Sequence, residues 1–214
     1  MDVFQYLLQN YGYDEPIFLD DLKSELDMNS NTLRQSLKRA VDNGKLCRYE
    51  YKDGIYFIPN PKSLLKKKTI SVNKIISKKY LYKKGKRIGY LTGLSLANHL
   101  QLTTQNPGVV EIVTMNEATS IRIVKYNKRR IALRRSRVSE INENNYKVLQ
   151  VLDLVNSFDK LSTKPFEEAC ESIIDYVQDV SMDKNELDDY LKKYPYKTQA
   201  KILGSTIYDE LTQR

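Results

Sequence analysis

The chain has 214 residues, a formal net charge of +8 and a hydrophobic fraction of 41%. That length accommodates one large or two modest domains with enough apolar residues for a core, which excludes a disordered tail. Two cysteines are too few for a disulfide or metal framework, and no leader peptide or long apolar run is read, so the expected setting is cytoplasmic, with neither secretion nor membrane spanning.

Charge is unevenly distributed. Lys and Arg against Asp and Glu number 7 against 10 over residues 1–60, 19 against 3 over 61–140, and 9 against 14 over 141–214, so the segments carry −3, +16 and −5. A middle block of that sign is an electrostatic footprint for a polyanion, most simply nucleic acid.

Residues 2–11 read as a first helix, with Val3, Phe4, Leu7, Leu8 and Tyr11 at helical spacing and Gly12 closing it. Ile17 and Phe18 form a short strand. Leu19 to Pro59 reads as a winged helix-turn-helix. Asp20 and Asp21 open one helix, where acids suit the positive end of the dipole, and Leu22 and Leu26 face inward. After a tight turn, Asn29 caps a second helix running to about Asn43, with Met28 able to staple onto Leu33. Its inward stripe is Leu33, Leu37, Ala40 and Val41, and Gly44 ends it in the left-handed conformation. The opposite face carries Asn31, Thr32, Arg34, Gln35, Lys38 and Arg39, which suit a recognition helix: Arg reads guanine, Gln and Asn read adenine, and hydroxyls and Lys hold phosphates. Two strands, Leu46 to Tyr51 and Ile55 to Ile58, make the wing, joined by a type I′ turn at Asp53 and Gly54, with Lys52 set against the DNA backbone. The domain boundary is placed near Pro59 to Pro61.

Residues 62–87 are Lys-rich. Val72, Ile75, Ile76 and Tyr80 mark a buried stripe, leaving Lys74, Lys78 and Lys79 off it, and Lys66, Lys67, Lys68, Lys83, Lys84, Lys86 and Arg87 extend a phosphate-tracking surface. A short helix follows Gly93, with Leu94, Leu96, Ala97 and Leu100. Strands are expected at Val109 to Thr114, Ser120 to Tyr126 and Arg130 to Val138, in a small antiparallel sheet or meander. Its inner face would be Ile121, Ile123, Ile131 and Leu133. Arg122, Lys125, Arg130 and Arg134 would then form a flat basic face, supplemented by Lys128, Arg129, Arg135 and Arg137.

The remainder reads as helical: Tyr146 to Phe158, a second helix from Pro165, a third capped by Asp183 and Glu186, and a fourth with Ala200, Leu203, Ile207 and Leu211 facing inward. The acids Asp183, Glu186, Asp188 and Asp189 do not fit a calcium loop and read as a solvated face. His99 has no Cys or His companion at ligand spacing. Ser71 and Lys74 have the S-x-x-K form without companion motifs, and no phosphate-binding glycine loop or nucleophile–His pair is present, so no catalytic residue, metal site or cofactor is assigned.

The segment TGLSLANHLQLTTQNPGVVEIVT, Thr92 to Thr114, followed by SIRIVKYNKRRIALRR, Ser120 to Arg135, resembles the signature region of the AbiEi family of antitoxins from bacterial type IV toxin–antitoxin, or abortive infection, systems. The similarity covers roughly Ile17 to Phe158. Its most specific piece runs from Thr92 and Gly93 through Leu102, Thr103, Thr104 and Gln105 to Pro107; Gln101 departs from the glycine common there. The resemblance implies a winged helix that binds inverted repeats of double-stranded DNA in the operon's own promoter and represses transcription. It also implies a C-terminal domain that neutralises a cognate nucleotidyltransferase-like toxin in phage defence. The family is not known for a tight stoichiometric antitoxin–toxin complex, so no toxin contacts are assigned.

The expectation is thus an α+β protein: a winged helix-turn-helix over 1–60, then a domain over 61–214 with a basic α/β part (62–140) and an acidic helical part (141–214). Its expected function is autorepression and antitoxin activity, without enzymatic chemistry. The alternatives are a protein-interaction module and a non-specific nucleic-acid binder.

Overall fold

Local capping sets the first elements. In the computed structural model, which describes residues 2–62 and 69–212, the Asp2 carboxylate accepts the Phe4 N–H at 2.9 Å and starts α1 (Val3–Asn10). β1 (Ile17–Phe18) leads directly into α2 (Leu19–Glu25), and a tight turn brings the chain to α3 (Ser30–Asp42). The Asn29 side chain accepts the Asn31 N–H at 2.8 Å at the start of α3. Gly44, at φ +68, turns the chain out of its end. β2 (Cys47–Arg48) and β3 (Ile55–Phe57) follow, and the sheet order is β1-β3-β2, antiparallel throughout. Leu7, Ile17, Leu22, Leu33 and Leu37 are fully buried in one core, each contributing about 1.5–3 kcal/mol relative to exposure.

The turn between β2 and β3 differs from expectation. A type I′ turn needs positive φ at both central residues, whereas of the Asp53–Gly54 pair only Gly54 (φ +76) has it. Tyr49 N–H instead donates to the Ile55 carbonyl at 2.9 Å, across a six-residue loop over 49–54. Two positive φ values do occur at Lys84 (φ 49) and Gly85 (φ 78), joining β4 (Tyr82–Lys83) to β5 (Lys86–Arg87).

The chain divides into two units, Met1–Lys78 and Lys79–Arg214. The first therefore runs past Pro59 to Pro61 and includes α4 (Val72–Ile76), which continues as a π turn over Ser77–Leu81. Lys74 explains the attachment: its ammonium donates to the Asp14 carbonyl at 3.1 Å and to Glu15 at 2.8 Å.

In the second unit, β6 (Gly89–Thr92), α5 (Leu94–His99), β7 (Val110–Thr114), β8 (Ile121–Tyr126) and β9 (Arg129–Arg135) form a four-stranded sheet ordered β6-β7-β9-β8. This is not the expected antiparallel meander, because β7 and β9 pair in parallel, Val110 opposite Ile131. β8 folds back along the outer edge of β9, which leaves β7 and β9 together in the middle, where Ile112, Ile131 and Leu133 are fully buried. Gly89 permits a close crossing: a Cβ there would overlap the Tyr80 carbonyl oxygen and lie 2.6 Å from that of Val113.

β8 also turns the opposite way from expectation. Val124 and Tyr126 are buried, and the Tyr126 hydroxyl hydrogen-bonds that of Tyr80 at 3.0 Å. Ile121 and Ile123 are 50% and 47% exposed. Because strand side chains alternate, anchoring Tyr126 inward places Arg122 on its face and sends Lys125 to the face of the two isoleucines.

Six helices complete the unit: α6 (Tyr146–Asn156), α7 (Phe158–Leu161), α8 (Phe166–Val177), α9 (Lys184–Leu191), α10 (Tyr196–Leu203) and α11 (Thr206–Thr212). Val148, Leu152, Ala169, Ile173, Leu187, Ile207 and Leu211 lie in their common core. The fourth expected helix is two, interrupted at Gly204 and Ser205; Ile202 rather than Leu203 points inward, and Leu203 is 54% exposed. The architecture is mixed α+β, with small sheets and C-terminal helices. No helix among the described residues is long and apolar enough to cross a membrane.

Candidate nucleic-acid interface

α3 separates its faces as its spacing requires. Leu33, Leu37 and Ala40 are buried, whereas Asn31, Thr32, Arg34, Gln35, Lys38 and Arg39 are all exposed. Among the described residues no carboxylate is ion-paired with Arg34, Lys38 or Arg39. Helix, turn, helix and β-hairpin thus follow in the order expected, with three unpaired cations, two amides and a hydroxyl on one solvent-facing surface. In the loop beside this hairpin, Tyr51 is exposed and packs edge-on against Tyr49 at 5.6 Å, while Lys52 is half-buried.

The remaining predicted contacts divide according to where acids lie. Lys78 is half-buried, 3.8 Å from Glu15 and 4.9 Å over the Tyr11 ring. Burial pushes its ammonium below the usual lysine range, against the pull of Glu15. Lys79 is also half-buried. Arg87, at 12% side-chain exposure, ion-pairs with Glu143 at 2.9 Å and stacks 3.7 Å over Tyr146 and 4.7 Å over Tyr82. It is a structural cross-link and not an open phosphate contact.

Arg122, Lys125, Arg130 and Arg134 do not form the single flat basic face expected of them. Arg122 lies on the opposite face from the other three and holds Glu117, whose side chain is 4% exposed, at 2.7 Å. Burial alone would raise the Glu117 pKa, yet hydrogen bonds from Arg122 and from the Thr119 hydroxyl and N–H bring it below the ordinary carboxylate value. Arg134 is held by Glu111 at 2.7 Å. Lys125, Lys128 and Arg130 remain exposed at the tip of the β8–β9 hairpin, with no carboxylate ion-paired to them among the described residues, and Arg129 is exposed beside them. Lys83, Lys84 and Lys86 are exposed on the β4–β5 hairpin. Lys66, Lys67 and Lys68 lie outside the described residues.

Arg135 and Arg137 belong to a different neighbourhood. Arg137 lies 3.9 Å from Asp153 and 4.9 Å over the Tyr194 ring. Asp153 accepts hydrogen bonds from the Tyr90 and Tyr194 hydroxyls at 2.8 and 2.9 Å. Burial dominates and raises its pKa despite those bonds and the nearby arginines. Sequence spacing gave no hint of Glu111, Glu117 or Asp153 as partners. The acids singled out near the C-terminus are engaged locally: Asp183 caps α9, Tyr190 donates to Glu186, Tyr208 donates to Asp188, and Lys192 donates to Asp189.

Comparison with models of protein families and with curated proteins finds no match to this chain.

Proposed function

We propose that this chain is a DNA-binding protein whose first unit works as a winged helix-turn-helix, with α3 as the recognition helix. The observation that carries the reading is the solvent face of α3: Asn31, Thr32, Arg34, Gln35, Lys38 and Arg39 lie together opposite the buried Leu33, Leu37 and Ala40. Arg34 and Gln35 are bidentate readers of base edges, and Lys38 and Arg39 are suited to the flanking phosphates. In the second unit, by itself, Lys125, Lys128 and Arg130 at the tip of the β8–β9 hairpin are also suited to phosphates.

Taken with the resemblance of Thr92 to Arg135 to the AbiEi antitoxins, the proposal extends to autorepression at inverted repeats in the chain's own promoter and to neutralisation of a nucleotidyltransferase-like toxin. The antitoxin part rests on that resemblance alone. A gel shift comparing the DNA immediately upstream of the gene with random duplex tests the first part, with tighter binding upstream expected. Co-expression with the adjacent reading frame tests the second, where rescue of growth is expected.

A second reading, a protein-interaction module, draws on the exposed Ile121 and Ile123 of edge strand β8. Equal, weak binding to both duplexes would favour it.

A further inference from the structure

The second unit contains a cleft of about 920 Å³ that the DNA-binding reading does not use. One wall is the sheet, through Thr92, Glu111 and Arg134, and the other is formed by the end of α6, by α7 and by Lys193. Five cations line it, Arg134, Arg135, Arg137, Lys160 and Lys193, against two carboxylates. Those carboxylates are already engaged: Glu111 holds Arg134 at 2.7 Å, and Asp153 faces Arg137 at 3.9 Å. Among the described residues no carboxylate is ion-paired with Arg135, Lys160 or Lys193, so the cleft carries a surplus of three positive charges.

Two further features shape the wall. Thr92 lines the cleft and places a hydroxyl, able to donate to a ligand oxygen, on its sheet wall. Gly93 follows at φ +65, and a Cβ there would stand 2.5 Å from a Glu111 carboxylate oxygen. That positive φ favours glycine, whose lack of a side chain leaves room for the Glu111 carboxylate that holds Arg134 in the wall.

We propose that this cleft binds a compact polyphosphate, either free or as the phosphate tail of a nucleotide. Its volume falls within the range of about 300–1,000 Å³ usual for small-ligand sites. No aromatic side chain lines it, so there is no platform on which a base could stack, and recognition must come from cations and hydroxyls. Arg135, Lys160 and Lys193 supply charge, and Thr92 supplies a donor for a phosphate oxygen. The proposal is independent of α3 and of the DNA-binding reading.

The test is calorimetric titration of the full chain, without DNA, with sodium tripolyphosphate and with ATP at low ionic strength. Saturable binding of one equivalent is expected. Arg135→Gln combined with Lys160→Gln should weaken it roughly tenfold or more. Lys83→Gln combined with Lys86→Gln, an equal charge loss outside the cleft, should leave it within about twofold. Equal affinity for the two probes identifies the polyphosphate itself as the ligand, and tighter binding of ATP identifies a nucleotide; both support the proposal. It is overturned if neither probe binds below about 1 mM, or if both double variants weaken binding alike. It is also overturned if the cleft variant loses duplex binding while tripolyphosphate fails to compete with the duplex, which would make the cleft a DNA-backbone site.

Discussion

Neutralising α3 should change the salt dependence of DNA binding by an amount set by its three unpaired cations. Each phosphate neutralised releases counterion and contributes about −0.9 to the slope of log affinity against log salt. An engagement of about six phosphates gives a slope of roughly −5. Replacing Arg34, Lys38 and Arg39 together with Gln should make the slope shallower by about 2.7, or by about 1.8 if Arg34 reads a base edge and not a phosphate. Arg122→Gln is the matched control, because Arg122 sits on the other sheet face and is neutralised by Glu117 at 2.7 Å. Its slope should equal that of the parent chain. Its cost should appear instead in stability, at about 1–3 kcal/mol for stranding the Glu117 carboxylate. The low end is expected, since Arg122 is 51% exposed and Thr119 still donates two hydrogen bonds. Fluorescence anisotropy across a salt series, with urea unfolding in parallel, measures both. A triple variant with an unchanged slope would refute the placement of α3 on duplex, and a slope that falls as much for Arg122→Gln would refute the pairing argument.

Leu37→Ala should cost about 2–5 kcal/mol in urea unfolding, since Leu37 is fully buried in the first unit, whereas Arg34→Ala should leave stability within about 0.5 kcal/mol and loosen sequence preference. Gly89→Ala should cost about 3 kcal/mol or more, because its Cβ meets two backbone carbonyls that no rotamer change can move; a mutant of near-parental stability would refute that close crossing. Asp153→Asn should change the pH dependence of unfolding. The folded pKa of Asp153 is raised, so the charged form penalises the folded state at neutral pH, and the penalty is relieved as pH falls through that folded value. The variant should lack that acid-side gain, which urea titrations between about pH 4 and 7 would detect.

The two units differ in how much of them could be read from sequence. α3 was legible because everything that defines it is local: the Asn29 cap, the Leu33 and Leu37 stripe and the positive φ at Gly44 lie within sixteen residues of one another. The sheet of the second unit was less so. Three of its four strands are expected near their observed positions and β6 is not expected at all, while the face of β8 depends on Tyr126 meeting Tyr80, 46 residues away. Ile121 and Ile123 satisfy the alternation rule equally well pointing either way.

The same non-locality governs the charge. Summed by segment, residues 61–140 carry +16 between acidic flanks, which suggests one continuous cationic surface. The contacts show otherwise, since acids from both flanks reach into that block: Glu15 holds Lys74 and approaches Lys78, Glu143 holds Arg87, and Asp153 faces Arg137. Glu111 and Glu117, two of its three acids, neutralise Arg134 and Arg122 from within. Three acids of the flanks therefore act as counterions within the block, and in the second unit the cations left for a partner lie on the β4–β5 and β8–β9 hairpins and in the cleft. Those three flank acids lower the +16 only to +13, but they do so at particular positions, and the cations left unpaired sit in small clusters that each suit a ligand needing a few phosphates held.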